Sequence, residues 1–137
     1  MDREEGGRRV YERRAISRRR FESLVRRAMR SIPSELAQRL ENVDIVVKTR
    51  PSPGQLSAGR VPAGHTLLGL YVGTDLTRRG SAYSFAMPDR IFIYQEPLER
   101  LARNEDDLTA RIRQTVLHEI AHHFGISDAR LHEIDRY

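Results

Sequence analysis

The residues best equipped for chemistry lie in one run, His118-Glu119-Ile120-Ala121-His122-His123-Phe124-Gly125-Ile126-Ser127-Asp128. On an α-helix, advancing about 100° and 1.5 Å per residue, positions four apart share a face one turn apart. His118 and His122 can therefore grip one cation. Glu119 is rotated about 60° from His122, so it flanks such an ion without ligating it, the arrangement that H-E-x-x-H chemistry requires. A catalytic zinc needs a third protein ligand and an open position for water, which two histidines on one helix do not supply. Gly125 lacks a Cβ and permits the chain to reverse at positive φ. Asp128 follows three residues later, and an aspartate oxygen is a normal zinc ligand at roughly 2.0 to 2.2 Å. These residues predict one zinc ion per chain on His118, His122 and Asp128, with Glu119 as general base. Glu133 and His132 are lesser alternatives for the third ligand, and their plainer role is polar surface or support.

The competing reading is a polar helix end with exposed or carbonyl-capping histidines and Asp128 starting a turn. Shuffling this composition yields H-E-x-x-H about once in a hundred trials and H-E-x-x-H-x-x-G-x-x-D about once in twenty thousand, so the longer form carries the signal.

The elements that must hold these groups belong to a chain of 137 residues, a length that fits one domain. Its 39% hydrophobic and 31% charged residues suit a globular, water-soluble protein. Cysteine is absent, which excludes disulfides, a thiolate nucleophile and cysteine-bound metals, leaving histidines and carboxylates as ligands. No apolar run approaches the roughly 20 residues that span a bilayer, and MDREEGG lacks a signal-like apolar segment, so a cytoplasmic protein without membrane contact is expected.

The net charge of +5 is uneven. Residues 1–30 hold eleven arginines against five acids, while the remainder holds thirteen basic and fourteen acidic groups. Residues 1–16 read as a flexible arginine-rich arm, ahead of a single domain over 17–137. Arginines bind phosphates, but no aromatic-interleaved basic patch supports nucleic-acid binding, and a solvated tail is the default.

Ser17 is a candidate N-cap for a helix with Phe21, Leu24, Val25, Ala28, Met29 and Ile32 on one face, ended by Pro33. A shorter helical piece follows over Ser34 to Leu40. Strands are expected at Val43 to Lys48, Thr66 to Val72 and Arg90 to Gln95, with a short edge strand at Ala82 to Ala86. Residues 51–64, with three prolines and three glycines, read as a long exposed loop. Pro97 to Arg103 reads as a helical turn. Asn104 then caps a long helix with Leu108, Ile112, Val116, Ile120 and Phe124 on its inner face, stopping at Gly125.

At the motif the chain resembles the zincin metallopeptidases, specifically small bacterial zincin-like proteins with H-E-x-x-H-x-x-G-x-x-D. LLGLYVGTDLTRRG, YSFAMPDRIFIYQEPLER and HEIAHHFGISDARLHEID extend the likeness over most of residues 20–137. The resemblance implies an α+β, minimal zincin-like fold, a small mixed sheet packed on an N-terminal helix and the active-site helix. It also implies an edge strand able to pair with an extended peptide, for which Ala82 to Ala86 is the candidate. It carries over His118, His122 and Asp128 as ligands and Glu119 as the catalytic acid/base. Unlike metzincins, the chain has Asp128 in the third position and no later methionine turn.

The expected activity is peptide hydrolysis, with a peptide or protein as substrate. The alternative is a catalytically weak metal-binding fold serving protein or nucleic-acid interactions. Tyr83, Arg130, His132 and Tyr137 have the chemistry of an oxyanion partner, but each has surface or packing as its plainer role. His123, about 100° around the helix from His122, is expected to be structural or solvent-facing.

Overall fold

The computed structural model describes residues 15–60, 66–73 and 88–135. Most of the arginine-rich arm and the candidate strand at Ala82 to Ala86 lie outside them. The first helix, α1 (Arg18–Arg30), begins at Ser17, whose hydroxyl accepts the Arg20 N–H at 3.0 Å. Phe21, Leu24, Val25 and Ala28 recur at helical spacing and are buried together. Pro33 precedes α2 (Ser34–Ala37), which passes into a 3-10 turn (Gln38–Leu40) and then β1 (Val43–Lys48).

The stretch expected as an open loop contains α3 (Pro53–Ala58). Ser52 and Gln55 form a reciprocal capping box, and Pro53 sits where the first helical turn has no use for an N–H. The proline that reads as a breaker here starts a helix. The next strand, β2 (Gly69–Val72), is shorter than expected at its front end, and β3 (Asp89–Tyr94) follows.

Strand order is β1-β3-β2. β1 runs parallel to β3, from Val43 opposite Asp89 to Lys48 opposite Tyr94. β2 runs antiparallel to β3, from Gly69 opposite Ile93 to Val72 opposite Arg90. The most apolar strand is thus central, and its Ile91, Ile93 and Tyr94 are fully buried. β1 and β2 are the edges, where strands carry unpaired N–H and C=O groups that the fold must cover.

α4 (Gln95–Leu101) leaves β3 directly, two residues earlier than Pro97 suggested. α5 (Glu105–Phe124) then crosses the sheet, its Asn104 cap accepting the Asp107 N–H at 2.8 Å. Leu108, Ile112, Val116 and Ile120 are buried as expected, whereas Phe124 is 38% exposed. Phe124 is the last residue of the helix, beyond the reach of the core, and the Arg39 guanidinium lies over its ring at 4.7 Å.

One hydrophobic cluster joins α1, β3 and α5, and it includes Leu131 and Ile134 of α6 (Asp128–Asp135). Burying each such Leu, Ile or Phe contributes about 1.5 to 3 kcal/mol, so α1 and the sheet clamp α5 far more firmly than the exposed Arg27–Asp106 ion pair does. Arg113 is a partly buried tie: it bonds the Asp135 carboxylate of α6 and the Ser31 carbonyl at the end of α1, the latter at 3.0 Å. The architecture is α+β, a small mixed sheet packed against helices, as a minimal zincin-like fold has. No described helix is long and apolar enough to cross a membrane.

Candidate metal centre

α5 delivers its last two turns to the surface, where His118, His122 and His123 are exposed and Glu119 is half-buried. The helix stops at Gly125, whose φ is 70°. The Gly125 N–H reaches the His122 carbonyl at 3.4 Å and the Ile126 N–H reaches the Ala121 carbonyl at 2.8 Å, the paired closure of a left-handed helix end. Gly125 thus makes the reversal its spacing required.

Beyond the turn the chain does not swing Asp128 back as a loop residue. Ser127 accepts the Arg130 N–H at 3.0 Å and starts α6, with Asp128 in its first turn. A carboxylate is favoured there by the positive end of the helix dipole. Asp128 nevertheless shares a groove of about 430 Å³ with His118 and His132, between α5 and α6. His122 does not line it. Among the described residues no three His, Asp or Glu side chains gather closely enough to hold a metal ion.

The donors themselves suit zinc. His118, His122 and Asp128 are solvent-exposed, and none of the three side chains makes a hydrogen bond among the described residues, so their lone pairs are uncommitted. His118 and His122 stand one turn apart on α5, and Asp128 and His132 both line the groove beside His118.

Glu119 is committed differently. Its Oε1 accepts the backbone N–H of Tyr71 at 2.9 Å, covering a polar group on the outer edge of β2. Gly69 makes this approach possible: a Cβ there would stand 2.5 Å from Thr115 Cγ2, 3.0 Å from the Phe92 carbonyl and 3.7 Å from Glu119 Cγ. Only a bare backbone lets α5 lie so close to β2.

Residues 40–137 match the family described as zincin-like metallopeptidase. The chain belongs to the zincin-like metallopeptidase family. A conserved hypothetical protein from Thermo thermophilus has a similar fold, with a TM-score of 0.50 and 23% identity over 80% of this chain and 94% of that one. Comparison with curated proteins gives no match.

Within this zincin-like fold, burial raises the pKa of Glu119 above the ordinary carboxylate value. The Tyr71 N–H and the charges of His122 and His118 work against that rise. Tyr94, at the end of the central strand, is pushed up to about 12 by burial and by the nearby Glu119 charge. Its hydroxyl is buried without a hydrogen-bond partner among the described residues.

Tyr71 is the residue that sequence reasoning missed. Besides its N–H on Glu119, its ring stacks on His123 with centroids 3.8 Å apart and planes 13° apart. Its hydroxyl donates to the Asp89 carboxylate at 2.7 Å, and burial with this contact pushes its pKa up. His123 also comes within 4.0 Å of Asp89. The expectation of a structural or solvent-facing His123 is met by a stacked ring that remains partly exposed. The signal for the close helix-strand approach was present in the lone glycine of Leu68-Gly69-Leu70-Tyr71, because an isolated strand glycine often marks one.

Of the oxyanion candidates, Tyr83 and Tyr137 lie outside the described residues. Arg130 is held by Glu35 and Glu133, both at 3.2 Å, on the surface. His132 is exposed in the groove.

Proposed function

We propose that this zincin-like protein is a zinc-dependent peptidase in which His118, His122 and Asp128 hold one zinc ion per chain and Glu119 is the catalytic acid/base. The observation that carries the reading is Glu119 itself: a half-buried carboxylate, raised in pKa by burial, held on the Tyr71 N–H between two exposed histidines. A carboxylate held in place beside two histidines is suited to accepting and returning a proton there.

Zinc bound by these residues would supply Lewis-acid polarisation of the substrate carbonyl and acidify a water molecule. The protein groups do the rest. Glu119 accepts the proton of the attacking water and returns it to the leaving amine, so that one carboxylate serves both halves of the hydrolysis. The Tyr71 N–H engages Oε1, which leaves Oε2 to exchange the proton. The family's name gives the substrate class, a peptide or protein.

Metal analysis and peptide cleavage test this together. The wild type should carry about one zinc per chain and cleave members of a broad peptide library. His122→Ala should lose the zinc, and Glu119→Gln should keep it while losing cleavage.

A second reading is a metal-binding fold with little catalysis, serving in interactions. It is favoured by the distribution of donors, with His122 outside the groove that His118 and Asp128 share. Equal inertness of metal-loaded wild type and Glu119→Gln across the library would support it.

A further inference from the structure

We infer that Tyr71 is a positioning residue, and that with His123 it forms a clamp setting where the Glu119 carboxylate stands. This rests on the peptidase reading for its consequence, though not for its geometry.

Glu119 and His123 are four residues apart and therefore share one face of α5, about 40° apart around the axis and about 6 Å along it. Tyr71 contacts both. Its main chain holds the Glu119 carboxylate at 2.9 Å, and its ring covers the His123 imidazole at 3.8 Å between centroids. Attachment at two points one turn apart resists both rolling and sliding of the helix, which one hydrogen bond alone would not. The far end of the ring is itself fixed, because the Tyr71 hydroxyl donates to Asp89 at the start of the central strand. The chain of contacts runs from β3 through Tyr71 to the face of α5 next to His118 and His122.

The sensitivity of such a site gives the clamp its importance. Side-chain tips stand about 5 to 6 Å from a helix axis, so a roll of about 10° moves them by about 1 Å. A misplacement of about 1 Å at reacting groups costs on the order of 100-fold in rate. α5 makes its main hydrophobic contacts earlier in its length, and at His122, His123 and Phe124 its side chains are exposed. Ile120 and Ala121 hold the start of this turn in the core, and the Tyr71 stack adds a hold on its exposed side.

The test has two arms. In metal-free wild type, the residue-71 amide is bonded to Glu119, so its hydrogen exchange reports the clamp without any catalysis. His123→Ala should speed that exchange about tenfold, a loss of about 1.4 kcal/mol of local protection, and His123→Phe, which restores a ring, should recover most of it. In zinc-loaded protein, Tyr71→Ala should lower kcat by about 10- to 100-fold with KM within about threefold and zinc content unchanged, and Tyr71→Phe should recover most of the rate. Unchanged residue-71 exchange in folded His123→Ala would overturn the clamp. Equal loss of rate in Tyr71→Phe and Tyr71→Ala, or loss accounted for by released zinc, would overturn the positioning role. A wild type that cleaves nothing sinks the peptidase reading and the positioning role with it, while the exchange arm still decides the clamp.

Discussion

Glu99 and Glu119 are both partly buried carboxyls whose pKa burial raises, yet they sit in corners of opposite character. Glu99 on α4 accepts the Gln95 side-chain amide at 2.7 Å and the Ile16 N–H at 3.4 Å. Gln95 in turn accepts from Arg18, whose guanidinium also bonds the Val47 carbonyl at 3.0 Å and the Thr49 hydroxyl at 2.8 Å. That corner ties the start of α1 to the β1 edge, and the further charge acting on Glu99 is the like charge of Glu96. Glu119 covers the other edge strand, and the charges acting on it are the histidines on either side. A raised carboxyl therefore does not by itself mark a functional site; what surrounds it does. Neutral donors and an anion make a structural joint, whereas imidazoles with uncommitted nitrogens make a candidate reaction centre.

The sharpest way to break this contrast is to neutralise each glutamate in turn. Glu119→Gln should lower peptide-cleavage kcat/KM by about 100- to 10,000-fold, and Glu99→Gln should leave it within about twofold. Comparable losses in the two variants, measured at equal zinc content, would erase the distinction.

Next in size are changes that disturb how each corner is held. Gly69→Val places a Cβ against Thr115 and the Phe92 carbonyl and should cost about 1 to 3 kcal/mol in urea unfolding, with loss of activity as α5 is pushed from β2. Arg18→Ala removes bonds to Gln95, Val47 and Thr49 and should cost about 1 to 2 kcal/mol while zinc content stays unchanged.

The smallest effect is in the pH dependence of stability. A carboxyl raised in the folded state contributes stability that is complete below its unfolded pKa and is lost as pH rises through the folded value. For Glu99 this loss begins above the ordinary value of 4.5. Asp135 has the opposite sign: the Arg113 hydrogen bond holds its pKa low, so its contribution is present above its ordinary 3.8 and lost as pH falls through the folded value. Thermal melts across pH 3 to 7 should show Glu99→Gln flattening the upper part of the profile and Asp135→Asn the acid limb, each by less than about 1 kcal/mol. Identical profiles would mean that neither group feels the surroundings described.

The parts of the fold readable in sequence are those governed by neighbours within a turn or two. Ser17 and Asn104 caps, the buried stripes of α1 and α5, and β1 residue for residue all follow from local pattern. The misreadings are also local but of weaker contrast. Pro53 and Gly54 suggested a loop because their composition outweighed the Ser52–Gln55 box. The Ser127 cap of α6 is masked in the sequence by the ligand chemistry of Asp128 beside it. Phe124 kept the four-residue spacing of the inner face, but the core ends before it.

His118, Glu119 and His122 owe their shared helix and their mutual angles to the sequence alone, since bonds four residues apart set the position of every side chain around an α-helix. The stop at Gly125 has the same local origin. Only the tertiary structure decided which backbone amide Glu119 would cover, because Tyr71 lies 48 residues away and meets it across a gap that Gly69 leaves open. Only it decided that His123 would find a ring to stack on and that Asp128 would enter a helix beside the His118 groove. Such meetings depend on how a whole layer of helices settles on a sheet, and no spacing within one segment encodes that.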